Sequence, residues 1–226
     1  MSHRAWPAIA SAAVFVMASV GVQAQGTAAA GYTCMGHRAT KVGTEGHNVI
    51  KGTNRRDVIV GLGGSDTIYG RGGDDIVCGN SGNDTLRGGP GADLIAGSLG
   101  GDRLVGGKGR DILRGGKKND RLLGKKGHDK LSGGRGSDVL AGGRKGDRLS
   151  GGAHNDRLNG GGGNDWLYGS LGNDTLLAGT GADHLIGGEG DDALDALDGV
   201  GDDTLRGSTG VDNCTADRPD TVMECP

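Results

Sequence analysis

Aspartate is the residue type in this chain that combines reactive chemistry with regular spacing. Sixteen of them stand nine residues apart, at Asp57, Asp66, Asp75, Asp84, Asp93, Asp102, Asp111, Asp120, Asp129, Asp138, Asp147, Asp156, Asp165, Asp174, Asp183 and Asp192. A carboxylate is a hard oxygen donor, and a column of carboxylates repels itself unless cations lie between its members. Other chemistries are poorly supplied. His37, His47, His128, His154 and His184 are scattered, and neither a GxSxG nucleophile turn nor an HExxH pair occurs. Asp74 with Asp75, and Asp191 with Asp192, imitate catalytic carboxylate pairs but fall inside the repeat. The expectation is a protein that binds metal and is not an enzyme.

Two residues after every one of these aspartates stands an aliphatic side chain, from Ile59 and Ile68 through to Leu185 and Leu194. The unit is therefore GGxGxD followed by residue, aliphatic, residue, with unbroken loops at 88–93, 106–111, 133–138, 160–165 and 187–192. Glycine permits positive φ and tight turning, so the spacing predicts a six-residue turn and a three-residue strand whose middle side chain points inward. One unit makes half a circuit. Two units, eighteen residues, make a coil, and successive units alternate between two parallel sheets of an all-β solenoid. Asp66, Asp84 and Asp102 then begin one ladder, and Asp75, Asp93 and Asp111 the other. With 51 glycines, one Phe, three Tyr and two Trp among 226 residues, an ordinary globular core is excluded. Hydrophobes locked to the aspartate period argue against disorder. Calcium suits such loops best, because it takes six to eight oxygens in flexible geometry whereas magnesium holds its waters in a strict octahedron.

The repeated GGxGxD loop with its aliphatic residue, from about Asn48 to Asp212, resembles the haemolysin-type calcium-binding repeat of the RTX proteins. The stretch ATKVGTEGHNVIKGT leading into DVIVGLGGSDTIYG also looks like the opening of secreted bacterial proteins built of this repeat. The resemblance implies a right-handed parallel β-roll with two repeats per coil and several Ca2+ ions held between loops of successive coils. It implies side-chain ligands at Asp66, Asp75, Asp84, Asp93, Asp102, Asp111, Asp129, Asp138, Asp165, Asp174, Asp183 and Asp192, with loop carbonyls completing each shell. Weaker sites are expected at Asp57, Asp120, Asp147 and Asp156, where Arg55, Lys118, Lys145 and His154 replace the fourth-position glycine. Asp203 is expected to be weaker as well: the period slips to eleven residues after Asp192, which reads as a bulged coil. Asn48 occupies the place of a first ladder aspartate and suits a cap.

Residues 1–24 read as a signal peptide: a polar start with His3 and Arg4, an apolar run, and a small-residue cleavage site at Ala24, with Ala30 as the alternative. The expected remainder is an N-terminal segment and cap at 25–47, a calcium-binding roll at 48–212 and a C-terminal disulfide cap at 213–226. About 25 residues separate the leader from the first coil, so the repeats are expected to be the whole mature protein, with no transmembrane segment. Four cysteines in a secreted chain favour two disulfides. Three connectivities are open, and proximity favours Cys34 with Cys78 and Cys214 with Cys225.

Charge is uneven. From Asp102 to Arg157 there are fifteen Lys or Arg against seven Asp. Arg103 and Arg121 lie eighteen apart, as do Lys130 and Arg148, so each pair should stack on an outer face. One reading is a solvated surface on which Lys118 and Lys145 partly replace calcium charge. The alternative function is an extracellular adhesive or matrix protein whose basic belt at 102–157 binds an anionic polymer, whether acidic polysaccharide, cell-wall polymer or nucleic acid. Sequence-specific nucleic-acid reading is not expected, since neither an aromatic platform nor a recognition helix is evident.

Overall fold

The computed structural model describes residues 31–225. The leader and both of its cleavage points lie outside the described residues. The rest is a parallel β-solenoid of two sheets, with no helix among the described residues. A ten-stranded sheet runs from Val49–Lys51 to Asn213–Ala216, and an eleven-stranded sheet from Lys41–Val42 to Thr221–Met223. Consecutive repeats alternate between them, and each strand pairs with the one a full coil away, as in Leu104 with Leu122 and Leu113 with Leu131. The eighteen-residue coil is thus the unit of stacking.

Strands are longer than the three residues read from the repeat. Arg103–Lys108, Ile112–Lys117 and Arg121–Lys126 each span six. Pairing runs over Arg103, Leu104 and Val105, skips Gly106, and resumes at Gly107 and Lys108. The strand bends at the loop's first glycine, and the turn beyond it also stacks on the next coil. Equal coil lengths explain this. Loop amides find carbonyls one coil on, as in Gly91 N–H to Lys108 O at 2.8 Å and Gly109 N–H to Lys126 O at 2.9 Å, so glycine-rich turns leave few backbone groups unpaired.

The core is a single file of aliphatic side chains from the two sheets, from Ile50 and Ile59 to Leu205, all of them buried. At the N-terminal end a second core forms outside the roll. The antiparallel hairpin of Thr33–Cys34 and His37–Arg38 brings Cys34 and Ala39 against Val58, Val60, Ile76 and Cys78 on the outer face of the eleven-stranded sheet. The Cys34–Cys78 disulfide fixes it there. Cys214–Cys225 ties the last strand of one sheet to the chain just past the last strand of the other. Of the three open connectivities, proximity picked out the pairing that forms. The slipped period is absorbed as a bulge, with Leu197 and Val200 turned to solvent while the strands on either side keep their register.

In a solenoid, stability is shared mainly between neighbouring coils. Replacing both Cys34 and Cys78 with Ala should therefore lower stability by about 2–4 kcal/mol and act locally. Amide exchange should accelerate over residues 33–42 and the strands at 58–63 and 76–81, while strands beyond residue 120 keep their protection.

Candidate metal centres

Each ladder aspartate stands just before its strand, and its backbone carbonyl accepts from the residue a coil and one position on, as in Arg121 N–H to Asp102 O at 2.8 Å. Its side chain turns inward. One carboxylate oxygen, Oδ1, accepts the backbone N–H of the ladder residue one coil earlier: Asp66 from Asn48, Asp84 from Asp66, Asp102 from Asp84, at 2.7–2.8 Å. The other flank repeats this through Asp75, Asp93 and Asp111. Both ladders cross the inserted coil, where Asp183 donates to Asp203 and Asp192 to Asp212 across twenty residues.

The second oxygen is different. In seventeen aspartates, from Asp66 to Asp203 and Asp212, Oδ2 is buried with no hydrogen-bond partner. A buried carboxylate oxygen without a donor is heavily penalised unless a cation or a proton meets it. Burial accordingly pushes sixteen of these carboxyls above their ordinary 3.8. Asp66, Asp75, Asp93, Asp102, Asp138, Asp174 and Asp203 rise to about 6, and Asp111, Asp120, Asp147, Asp156 and Asp165 to about 7. Asp84, Asp129, Asp183 and Asp192 are raised as well. Desolvation dominates throughout, and the ladder N–H opposes it. For Asp111, the carboxylates of Asp129 and Asp93 add to the rise.

The loop glycines meet distinct demands. A Cβ on the first glycine would strike Oδ2 of the same loop's aspartate, as at Gly88 with Asp93 and Gly106 with Asp111. The second and fourth positions hold left-handed backbone, and a Cβ on the fourth would overlap a carbonyl of the previous coil, as Gly91 would overlap Gly73 O. Rows of loop carbonyls and rows of orphaned carboxylate oxygens thus run side by side. Among the described residues no three His, Cys, Asp or Glu side chains cluster as a metal site. Any ion here would take one carboxylate per coil and complete its shell with carbonyls, a donor set of hard oxygens suited to calcium.

Overlapping windows from residues 42–77 to 196–218 match the RTX calcium-binding nonapeptide repeat. The chain belongs to this family. A search of curated proteins found no match. The RTX roll places every aspartate named as a ligand in one of the two ladders. Asp120, Asp147 and Asp156 carry the same orphaned oxygen, and Lys118, Lys145 and His154 keep the turn by adopting left-handed φ of 73°, 74° and 81°. Asp57 differs: its Oδ2 accepts from the N–H and hydroxyl of Thr53 at 2.6 and 2.8 Å. At the far end Asp220 closes its ladder, accepting from Asp203 and Asp217 N–H. Asp212 was missed as a site residue. Its signal was available in the nine-residue step from Asp203.

Lys118 and Lys145 are exposed, and the one ion pair among the described residues is Arg206 with Glu224, so neither ammonium substitutes for a cation at the ladders. Arg103 stacks on Arg121 in the ten-stranded sheet and Lys130 on Arg148 in the eleven-stranded sheet. The two pairs therefore belong to different faces. An aromatic platform does exist, contrary to expectation, because Trp166 and Tyr168 alternate onto the same outer face, with ring centroids 6.4 Å apart.

Because burial raises twelve of the ladder carboxyls from 3.8 to about 6 or 7, the metal-free fold binds more protons than the unfolded chain between those values. Stability without metal should be greatest in acid and fall as pH rises from about 4 through 7. With calcium the slope should reverse, since protons then compete with the ion. Thermal melts across pH 4–8, with chelator and with calcium, check both signs.

Proposed function

We propose that this RTX protein is an extracellular calcium-binding β-roll whose fold is stabilised by calcium held between successive loops, and that it acts by binding and by shape, without catalysis. The observation that carries the reading is the double row of buried Oδ2 atoms without donors. In this reading the ligands are the aspartates from Asp66 to Asp192 together with Asp203 and Asp212. Asp57 is excluded, since Thr53 already satisfies it. The loops before Asp120, Asp147 and Asp156 bind more weakly, because Lys118, Lys145 and His154 put a side chain at the fourth position, where Gly91 lies against a carbonyl of the previous coil. Pairing of all four cysteines supports an oxidising compartment and hence secretion. Three of the histidines are engaged with backbone groups rather than poised beside nucleophiles: His47 accepts from Ser65 N–H, and His128 and His154 meet the carbonyls of Gly146 and Ala153.

At free calcium ten times its dissociation constant, each site adds about 1.4 kcal/mol. Chelation should lower the melting temperature steeply and diminish the far-UV β signal, and calcium should restore both. Native mass spectrometry should count several ions per chain, with fewer in an Asp102→Asn/Asp111→Asn variant. A melting temperature indifferent to chelator would sink the reading.

A further inference from the structure

Along one flank of the eleven-stranded sheet, a groove of about 680 Å³ runs between the loop column carrying Arg110, His128 and Lys145 and the strand column carrying Lys130 and Arg148, and it ends at Trp166. Register places Lys130, Arg148, Trp166 and His184 on consecutive coils, one directly above the next. Neighbouring strands lie about 4.8 Å apart, so Lys130 and Arg148 are like charges on directly paired residues, which is unfavourable unless an anion spans them. No carboxylate does so. The single ion pair among the described residues is Arg206 with Glu224, remote in sequence. Asp129 and Asp147 also border the groove, but both are buried, with Oδ1 committed to the ladder.

The groove's end is built differently. Trp166 keeps 38% of its surface exposed, its indole lies 4.2 Å from the His184 ring at a tilt of 37°, and the Tyr168 ring lies 6.4 Å away at 23° to it. On the cationic side, Ser132 and Ser150 pair in register beside Lys130 and Arg148 and set hydroxyls on the same face. We propose that this groove binds an acidic polysaccharide, with uronate or sulfate groups on Lys130 and Arg148 and the C–H face of one sugar ring against Trp166. Tracking single-stranded nucleic acid calls for aromatic planes repeated along the strand, one for each stacked base. Here one platform stands at the end of an otherwise aliphatic and cationic column, which favours a polymer whose recognition is mostly charge and hydroxyl, with a single stacked ring.

Titration calorimetry on the full chain, in calcium-containing buffer, tests the assignment with three probes: a uronic-acid hexasaccharide, neutral maltohexaose and a deoxythymidine dodecamer. The acidic hexasaccharide should bind saturably and more tightly than either of the others. Lys130→Ser/Arg148→Ser and Trp166→Ala should each weaken it about tenfold, as loss of two charge contacts or one stacked ring implies. Arg103→Ser/Arg121→Ser removes the same charge from the opposite sheet and should change affinity by less than about twofold, the scale of a screened remote charge. Circular dichroism confirms that each variant, altered only on outer faces, remains folded. Equal weakening by the two double variants, tighter binding of the dodecamer, or the absence of saturable hexasaccharide binding would each overturn the proposal.

Discussion

A carboxylate buried where no N–H or O–H reaches its second oxygen can be accommodated by a proton or by a cation, and this protein repeats that situation seventeen times in two rows. The rows are not incidental to the fold. Each Oδ1 is tied to the backbone of the preceding coil, so the group that asks for a counter-ion also holds consecutive coils in register. Neutralising one carboxylate relieves its neighbours above and below, because like charges about 5 Å apart repel across the ladder. Metal occupancy and coil stacking are therefore coupled through the same side chain.

The glycines follow from that constraint. Bringing a carboxylate inward against its own loop leaves little space at the first loop position, as Gly88 and Gly106 illustrate, and the loop before Asp183 departs from glycine there only as far as the small Ala178. Stacking the turns brings the fourth position against a carbonyl of the coil before it, as Gly91 meets Gly73, and backbone there must be left-handed. Glycine answers both demands, one steric and one conformational. Where the chain departs from glycine it does so at the conformational positions more readily than at the steric one. Leu62, Arg71, Ser98, Lys125 and Lys145 all adopt positive φ, because strain of that kind is tolerable once neighbouring coils enforce the turn.

Much of this was legible in the sequence because the period is rigid: a nine-residue step with one inward aliphatic side chain admits few closed paths, and Leu104 over Leu122 is its direct consequence. The ladders were legible for the same reason. Strand length was not, since the glycine loops carry no strand propensity, and their pairing comes from stacking on an identical neighbour rather than from local preference. The N-terminal hairpin was equally hidden. Val58, Val60 and Ile76 on an outer face announced that something covers them, but only contacts distant in sequence show that it is Cys34 and Ala39. Asp57 shows the opposite case, in which a motif-like aspartate is satisfied by Thr53, four residues away.

The outer faces obey a weaker rule than the interior. Side chains at the strand positions flanking the aliphatic one face solvent, so they are free to vary so long as direct neighbours one coil apart do not conflict. At the N-terminal end that freedom holds a hydrophobic seat for the hairpin; farther along it holds stacked cations, and then Trp166 and Tyr168. Stacked like charges oppose the register that the ladders impose, and the opposition is tolerable because exposed cations are screened while the ladder is not. A solenoid can therefore hold unfavourable lateral contacts on its surface at small expense in stability. The interior repeat sets where each outer side chain stands, and a charged or aromatic column on that surface is geometrically ordered before any partner meets it.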